Sequence, residues 1–160
     1  MIPYRNRDEA LAWLVGAVPY IRFLGIRFDR QGDEITAHLP FKPMLIGNPT
    51  IPALHGGVTA AFLEVAALIE LSWSTLWEDI AAGRIGPEAL DPGHLPPLPK
   101  TIDFTVDYLR AGQPRDCYAK ARVNRSGRRY ASVHVEGWQD SRDKPFASAV
   151  VHCLMPEQPG

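Results

Sequence analysis

Between Val58 and Ile69 the chain reads "VTAAFLEVAALI", and only Thr59 and Glu64 in that run are polar. At helical spacing its apolar side chains fall on every side instead of forming one stripe, so this helix cannot lie on a surface. It has to be covered almost all round. The same pattern carries it on to about Trp77 or Asp79.

The cover comes from the last third of the chain. "TIDFTVDYLRAG", "DCYAKARVNR", "RYASVHVEGWQD" and "KPFASAVVHCLM" read as strands, parted by turn signals at Gly112-Gln113-Pro114, Ser126-Gly127 and Asp140-Ser141. Ala119, Ala121 and Val123 alternate onto one face, as do Ala131, Val133 and Val135, and Ala147, Ala149 and Val151. Small apolar residues on one face let a helix lie close. Upstream, "LGIRFDRQGDEITAHLP" is a hairpin about Gln31-Gly32-Asp33, and "FKPMLIGNPTIPAL" reads as a Pro-punctuated loop. A Pro-rich insert spans about 83–99. The architecture expected is α+β, with a curved antiparallel sheet wrapped round one long central helix.

With 160 residues, 46% hydrophobic and 22% charged, the chain is sized and composed as a single globular domain, 1–160. A net charge of −1 leaves no basic excess for phosphates and argues against nucleic acid as partner. The apolar stretch Ala10–Ile21 is too short to span a bilayer. Asp8 and Glu9 stand where a signal peptide would be basic, and Asn6 with Glu9 resembles a capping box. An amphipathic helix over about 7–18 is expected there, with Leu11, Leu14, Val15 and Val18 on one face. No membrane association is expected. Cys117 and Cys153 lack metal-like or CxxC spacing and read as buried thiols in a cytoplasmic protein. His38, His94, His134 and His152 show no ligand spacing, so no metal is expected.

Glu64 then needs a reason. Burying a carboxylate costs several kcal/mol (about 3–5 when left unpaired). The acid therefore reaches solvent, pairs with a buried Arg, or serves a site. Just upstream, "HGG" places Gly56 and Gly57 at the helix start, where unpaired backbone N–H groups and the helix dipole favour negative charge. A plain loop-to-helix turn has the same residues.

"NPTIPALHGGVTAAFLEVAA", continued by "TIDFTVDYLRAG" and "ARVNRSGRRYASVHVEGWQD", resembles the signature of hot-dog-fold acyl-CoA thioesterases of the phenylacetate-pathway and 4-hydroxybenzoyl-CoA type, over residues 20–155. The resemblance implies a hot-dog fold and hydrolysis of an acyl-CoA thioester, with coenzyme A part of the substrate and no other cofactor. It implies that the Gly56 N–H polarises the thioester carbonyl beside His55 and Asn48, with Gly57 at the substrate. Glu64 is then nucleophile or general base, and Thr101 positions the attacking water. Arg125, Arg128 and Arg129 would contact the coenzyme A phosphates. The sequence departs from the phenylacetate-type pattern at Glu64, usually Asp there. Its insert is also longer.

Helix geometry adds a point of its own. Glu64 follows His55 by nine residues, about half a turn out of phase if the helix begins at once. One chain then cannot bring both to one substrate, but two can. A homodimer with composite sites is predicted, with a dimer of dimers as its extension, matching the interface-sited active sites of the family. The alternative reading is a hot-dog protein that binds an acyl-thioester or aromatic ligand without turnover.

Overall fold

The structure, a computed structural model, describes residues 7–84 and 97–157. Two short helices open it, α1 (Arg7–Gly16) and α2 (Pro19–Leu24), followed by β1 (Arg27–Gln31) and β2 (Glu34–Leu39). A small hairpin, β3 (Ile46–Asn48) and β4 (Ala53–Leu54), leads into the long helix α3 (Gly56–Ala81). Then come β5 (Lys100–Tyr108), β6 (Cys117–Ser126), β7 (Tyr130–Trp138) and β8 (Ala147–Leu154).

The N-terminal helix is shorter than expected because Pro19 starts a second one, which ends at Gly25 in the left-handed region (φ 73). Ala10, Leu11 and Leu14 of α1 are buried, and Val15 and Val18 pack partly against the core. Asn6 and most of the Pro-rich insert lie outside the described residues. The β1–β2 hairpin turns at Gly32 (φ 64), with Gln31 opposite Glu34. Residues 41–54 are not the featureless loop expected. A 3₁₀ turn (Pro43–Leu45) and the β3–β4 hairpin organise them.

Six strands form one antiparallel sheet in the order β1-β2-β6-β7-β8-β5. The inward residues Ala119, Ala131, Val133, Val135, Ala147, Ala149, Val151 and Cys153 are all buried, as are Phe62, Leu63, Ala67 and Leu71 of α3. The sheet lies across α3, and α1 packs on the helix as well. Length and hydropathy alone would let α3 cross a membrane, but here it is the covered core of the sheet. Two of the face residues depart from expectation. Ala121 and Val123 are only half-buried, because β2 pairs with β6 only as far as Ala119 and leaves the rest of that strand's edge open.

The small side chains set how near the helix lies. Ala149→Leu should therefore overpack the helix–sheet seam and cost about 1–3 kcal/mol. Urea unfolding measures this; an unchanged midpoint would show that the seam has slack.

Candidate active site

The start of α3 is built from both sides. His55 is the N-cap, with extended backbone (φ −63, ψ 129), and its Nδ1 accepts the Gly57 N–H at 2.8 Å. The Val58 and Thr59 N–H groups both donate to the His55 carbonyl, at 3.1 Å each. Of the four N–H groups in this first turn, only that of Gly56 has no acceptor among the described residues. It stands at the positive end of a 26-residue helix, a donor open to an oxyanion.

The placement of His55 is tightly set. Its own N–H donates to the Leu45 carbonyl at 2.8 Å. A Cβ at position 47 would lie 2.6 Å from the His55 Cα, so only glycine fits at Gly47. A Cβ at position 57 would lie 2.9 Å from Nδ1. Gly57, expected among the substrate contacts, thus turns its N–H and its open side toward His55. Asn48 sits beside Gly47 on the β3–β4 hairpin, where its Oδ1 accepts the N–H groups of Thr50 (3.0 Å) and Ile51 (3.4 Å). Its carbonyl oxygen is thereby committed to an Asx turn, which leaves the amide NH₂ to act.

Glu64 lies farther along α3, half-buried, with no hydrogen bond or ion pair to the described residues. A buried Arg partner, one of the readings open from sequence, is not found among the described residues. Its charge does reach Cys153, whose thiol is raised first by burial and then by Glu64. Cys153 pairs with Thr101 across β8 and β5. The Thr101 Oγ1 is buried and has no partner among the described residues. Glu64 and Thr101 therefore share one neighbourhood, and His55, Gly56 and Asn48 share another.

The two neighbourhoods are apart within one chain. Helix α3 begins directly after His55, so the nine residues to Glu64 make about two and a half turns, which puts it on the opposite side of the helix and about 13 Å along the axis. Arg125, Arg128 and Arg129 are all exposed, at the β6–β7 turn. The Met155 N–H donates to the Arg129 carbonyl at 3.0 Å, and Leu154 pairs with both Tyr130 and Lys100. The basic turn thus stands at the Thr101 end of the sheet, and its arginines form no ion pair among the described residues.

Two residues take roles that the sequence alone does not assign. Tyr108, at the end of β5, donates its hydroxyl to the Gly56 carbonyl at 2.7 Å. Glu70, one residue beyond the apolar run, lines a cavity of about 480 Å³ with Ser74, Glu78, Arg122 and Ser126, the last of them next to Arg125. Burial pushes its carboxyl from an ordinary 4.5 to about 7, with Glu34 adding and Lys120 opposing. The signal was available, an acid in a covered helix.

An antiparallel sheet wrapped round one helix, with a carboxylate about a third of the way along that helix and a free N–H at its start, is the architecture of a hot-dog protein. Residues 47–154 match the acyl-CoA thioesterase N-terminal domain family. YigI of Escherichia coli (strain K12), a medium/long-chain acyl-CoA thioesterase, is 37% identical over a 123-residue alignment that covers 74% of this chain and 74% of that protein. A crystal structure from Chromobacterium violaceum is 34% identical, with a TM-score of 0.64 over 94% of this chain and 93% of its own. A thioesterase-superfamily protein of Shewanella oneidensis shares the fold, with a TM-score of 0.69 at 23% identity over 98% and 100% of the two chains. This chain belongs to the hot-dog acyl-CoA thioesterase family.

Glu70 has a consequence for stability. A carboxyl raised on folding stabilises the fold fully below about pH 4.5, and that contribution is lost as pH rises to about 7. Glu70→Gln cannot ionise, so melting curves between pH 4.5 and 8 should fall less steeply for it than for the wild type. Parallel pH profiles would show that Glu70 is solvated instead.

Proposed function

We propose that this chain hydrolyses acyl-CoA thioesters of medium to long acyl chain at two composite sites of a homodimer, with Glu64 of one subunit acting beside His55 and Gly56 of the other. The observation that carries the reading is the division of the site: a free oxyanion donor at one place on α3 and an unpaired carboxylate half a turn round and about 13 Å on. The chain-length preference follows YigI.

The edge strand supports the pairing. Among the described residues β5 is bonded only to β8, and Ile102 (54% exposed) and Tyr108 (56% exposed) stand out on it. A free strand edge invites another strand. If β5 pairs with its copy about a two-fold axis at Thr105, the bulge between Thr101 and Asp103 brings Thr101 to the level of Tyr108 of the partner subunit. Tyr108 touches Gly56, and Thr101 stands near Glu64. That register unites the two half-sites at both ends of the seam.

In the united site the thioester oxygen takes the Gly56 N–H, worth about 10²–10³ in rate, while His55 and the Asn48 amide flank it. Glu64 either draws a proton from water held by the Thr101 hydroxyl or attacks the carbonyl itself. In the second case the thiolate leaves and a mixed anhydride forms, which water then opens. The exposed arginines 125, 128 and 129 take the coenzyme A phosphates at the Thr101 end. Gly57 supports the substrate indirectly, through His55. The reaction needs no metal, and the setting is the cytosol.

Glu64→Gln should lower kcat on medium- and long-chain acyl-CoAs by about 10²–10⁴, read with a thiol reagent. Full turnover by that variant would sink the mechanism. His55→Ser keeps a capping oxygen while losing the imidazole. A heterodimer of Glu64→Gln and His55→Ser chains, isolated through two tags, should recover about half the wild-type rate, since one of its two sites is intact. A heterodimer no better than its parents would place each site within one chain.

A further inference from the structure

Tyr108 and His55 are joined through a single peptide group. The Tyr108 hydroxyl donates to the Gly56 carbonyl oxygen at 2.7 Å, and the Gly57 N–H of that same peptide donates to His55 Nδ1 at 2.8 Å. A peptide that accepts at its oxygen becomes a stronger donor at its nitrogen, so the two bonds reinforce each other. Because the Gly57 nitrogen can only donate, Nδ1 must accept, and the neutral ring carries its proton on Nε2. His55 is exposed, and Nε2–H is the ring's remaining donor, at the same helix start as the open Gly56 N–H.

The far end of this line is anchored. The Leu109 and Arg110 N–H groups both donate to the Phe146 carbonyl, at 2.9 and 3.1 Å, which fixes the backbone just after Tyr108. The tyrosine also lies against Gly56 itself: a Cβ there would be 3.3 Å from Oη and 3.5 Å from the ring. The side chain thus holds Gly56 at its carbonyl and at its open face.

We propose that Tyr108 is a positioning residue for thioester hydrolysis. By holding the Gly56–Gly57 peptide it sets the direction of the neighbouring free Gly56 N–H and keeps His55 in its Nε2–H form, so that both donors meet one carbonyl oxygen. This rests on the oxyanion role proposed above for Gly56. The loss should appear in the chemical step, where charge grows on that oxygen, and much less in substrate binding.

Tyr108→Phe removes the hydroxyl and keeps the ring. It should lower kcat about three- to tenfold, the effect of one hydrogen bond, with KM changed less than about twofold. Melting should shift by no more than about 4 °C, with the oligomeric state by light scattering unchanged. In ¹⁵N-glycine- and ¹⁵N-histidine-labelled protein the Gly57 amide proton should move upfield, and wild-type His55 should show the Nε2–H tautomer. Tyr108→Leu, which also loses the ring contact, should be slower still. An unmoved Gly57 amide, an unchanged kcat, or a loss confined to KM would each overturn the proposal. If the wild-type protein turned over no thioester, the catalytic reading would fail, and the Gly57 and His55 resonances would still decide whether the tyrosine holds the peptide.

Discussion

The whole structure answers one demand, the covering of α3. A helix with apolar residues on every side is stable in water only when something broad lies against it, and a curved sheet is broad enough. Small inward residues, Ala119, Ala131, Ala147 and Ala149, let the sheet come close. Where the cover ends, polar groups have room to work. The helix start emerges beside β5 and the β3–β4 hairpin, which leaves the Gly56 N–H open. Glu64 is half-buried and acts on Cys153 of β8, the strand next to the edge strand β5.

Much of this is legible from residues alone. The continuous apolar run, the Gln31-Gly32-Asp33 turn and the period-two strands are local signals, and each corresponds to an observed element. The strand order is not local. That β5 lies outside β8, while β2 lies against β6, depends on long connections whose direction no short window records. The β3–β4 hairpin is hidden by Pro49 and Pro52, and its purpose emerges only in three dimensions, when Gly47 meets His55 at a distance that admits no side chain.

The site divides the same way. His55, Gly56 and Glu64 stand out because their chemistry is unusual for where they sit in the sequence. Gly57 stands out too, but its N–H goes to His55, since an N-cap takes the nearest free donor. Tyr108 is 52 residues from Gly56, and nothing in "VDYLRAG" announces the hydroxyl's partner. Glu70 carries the same signal as Glu64, yet it faces another part of the fold, because six residues turn a helix through about one and two-thirds revolutions.

The chain's own sulfur has a bearing on its chemistry. Cys117 and Cys153 are buried and unpaired. Burial lifts the Cys117 thiol to about 12, against an opposing hydrogen bond from Gln139, and raises Cys153 as well. Thioester hydrolysis liberates coenzyme A as a free thiol, and such a product exchanges with protein thiols that are accessible and ionised. Neither cysteine here is either. The leaving group can build up around the enzyme without being captured by it as a mixed disulfide.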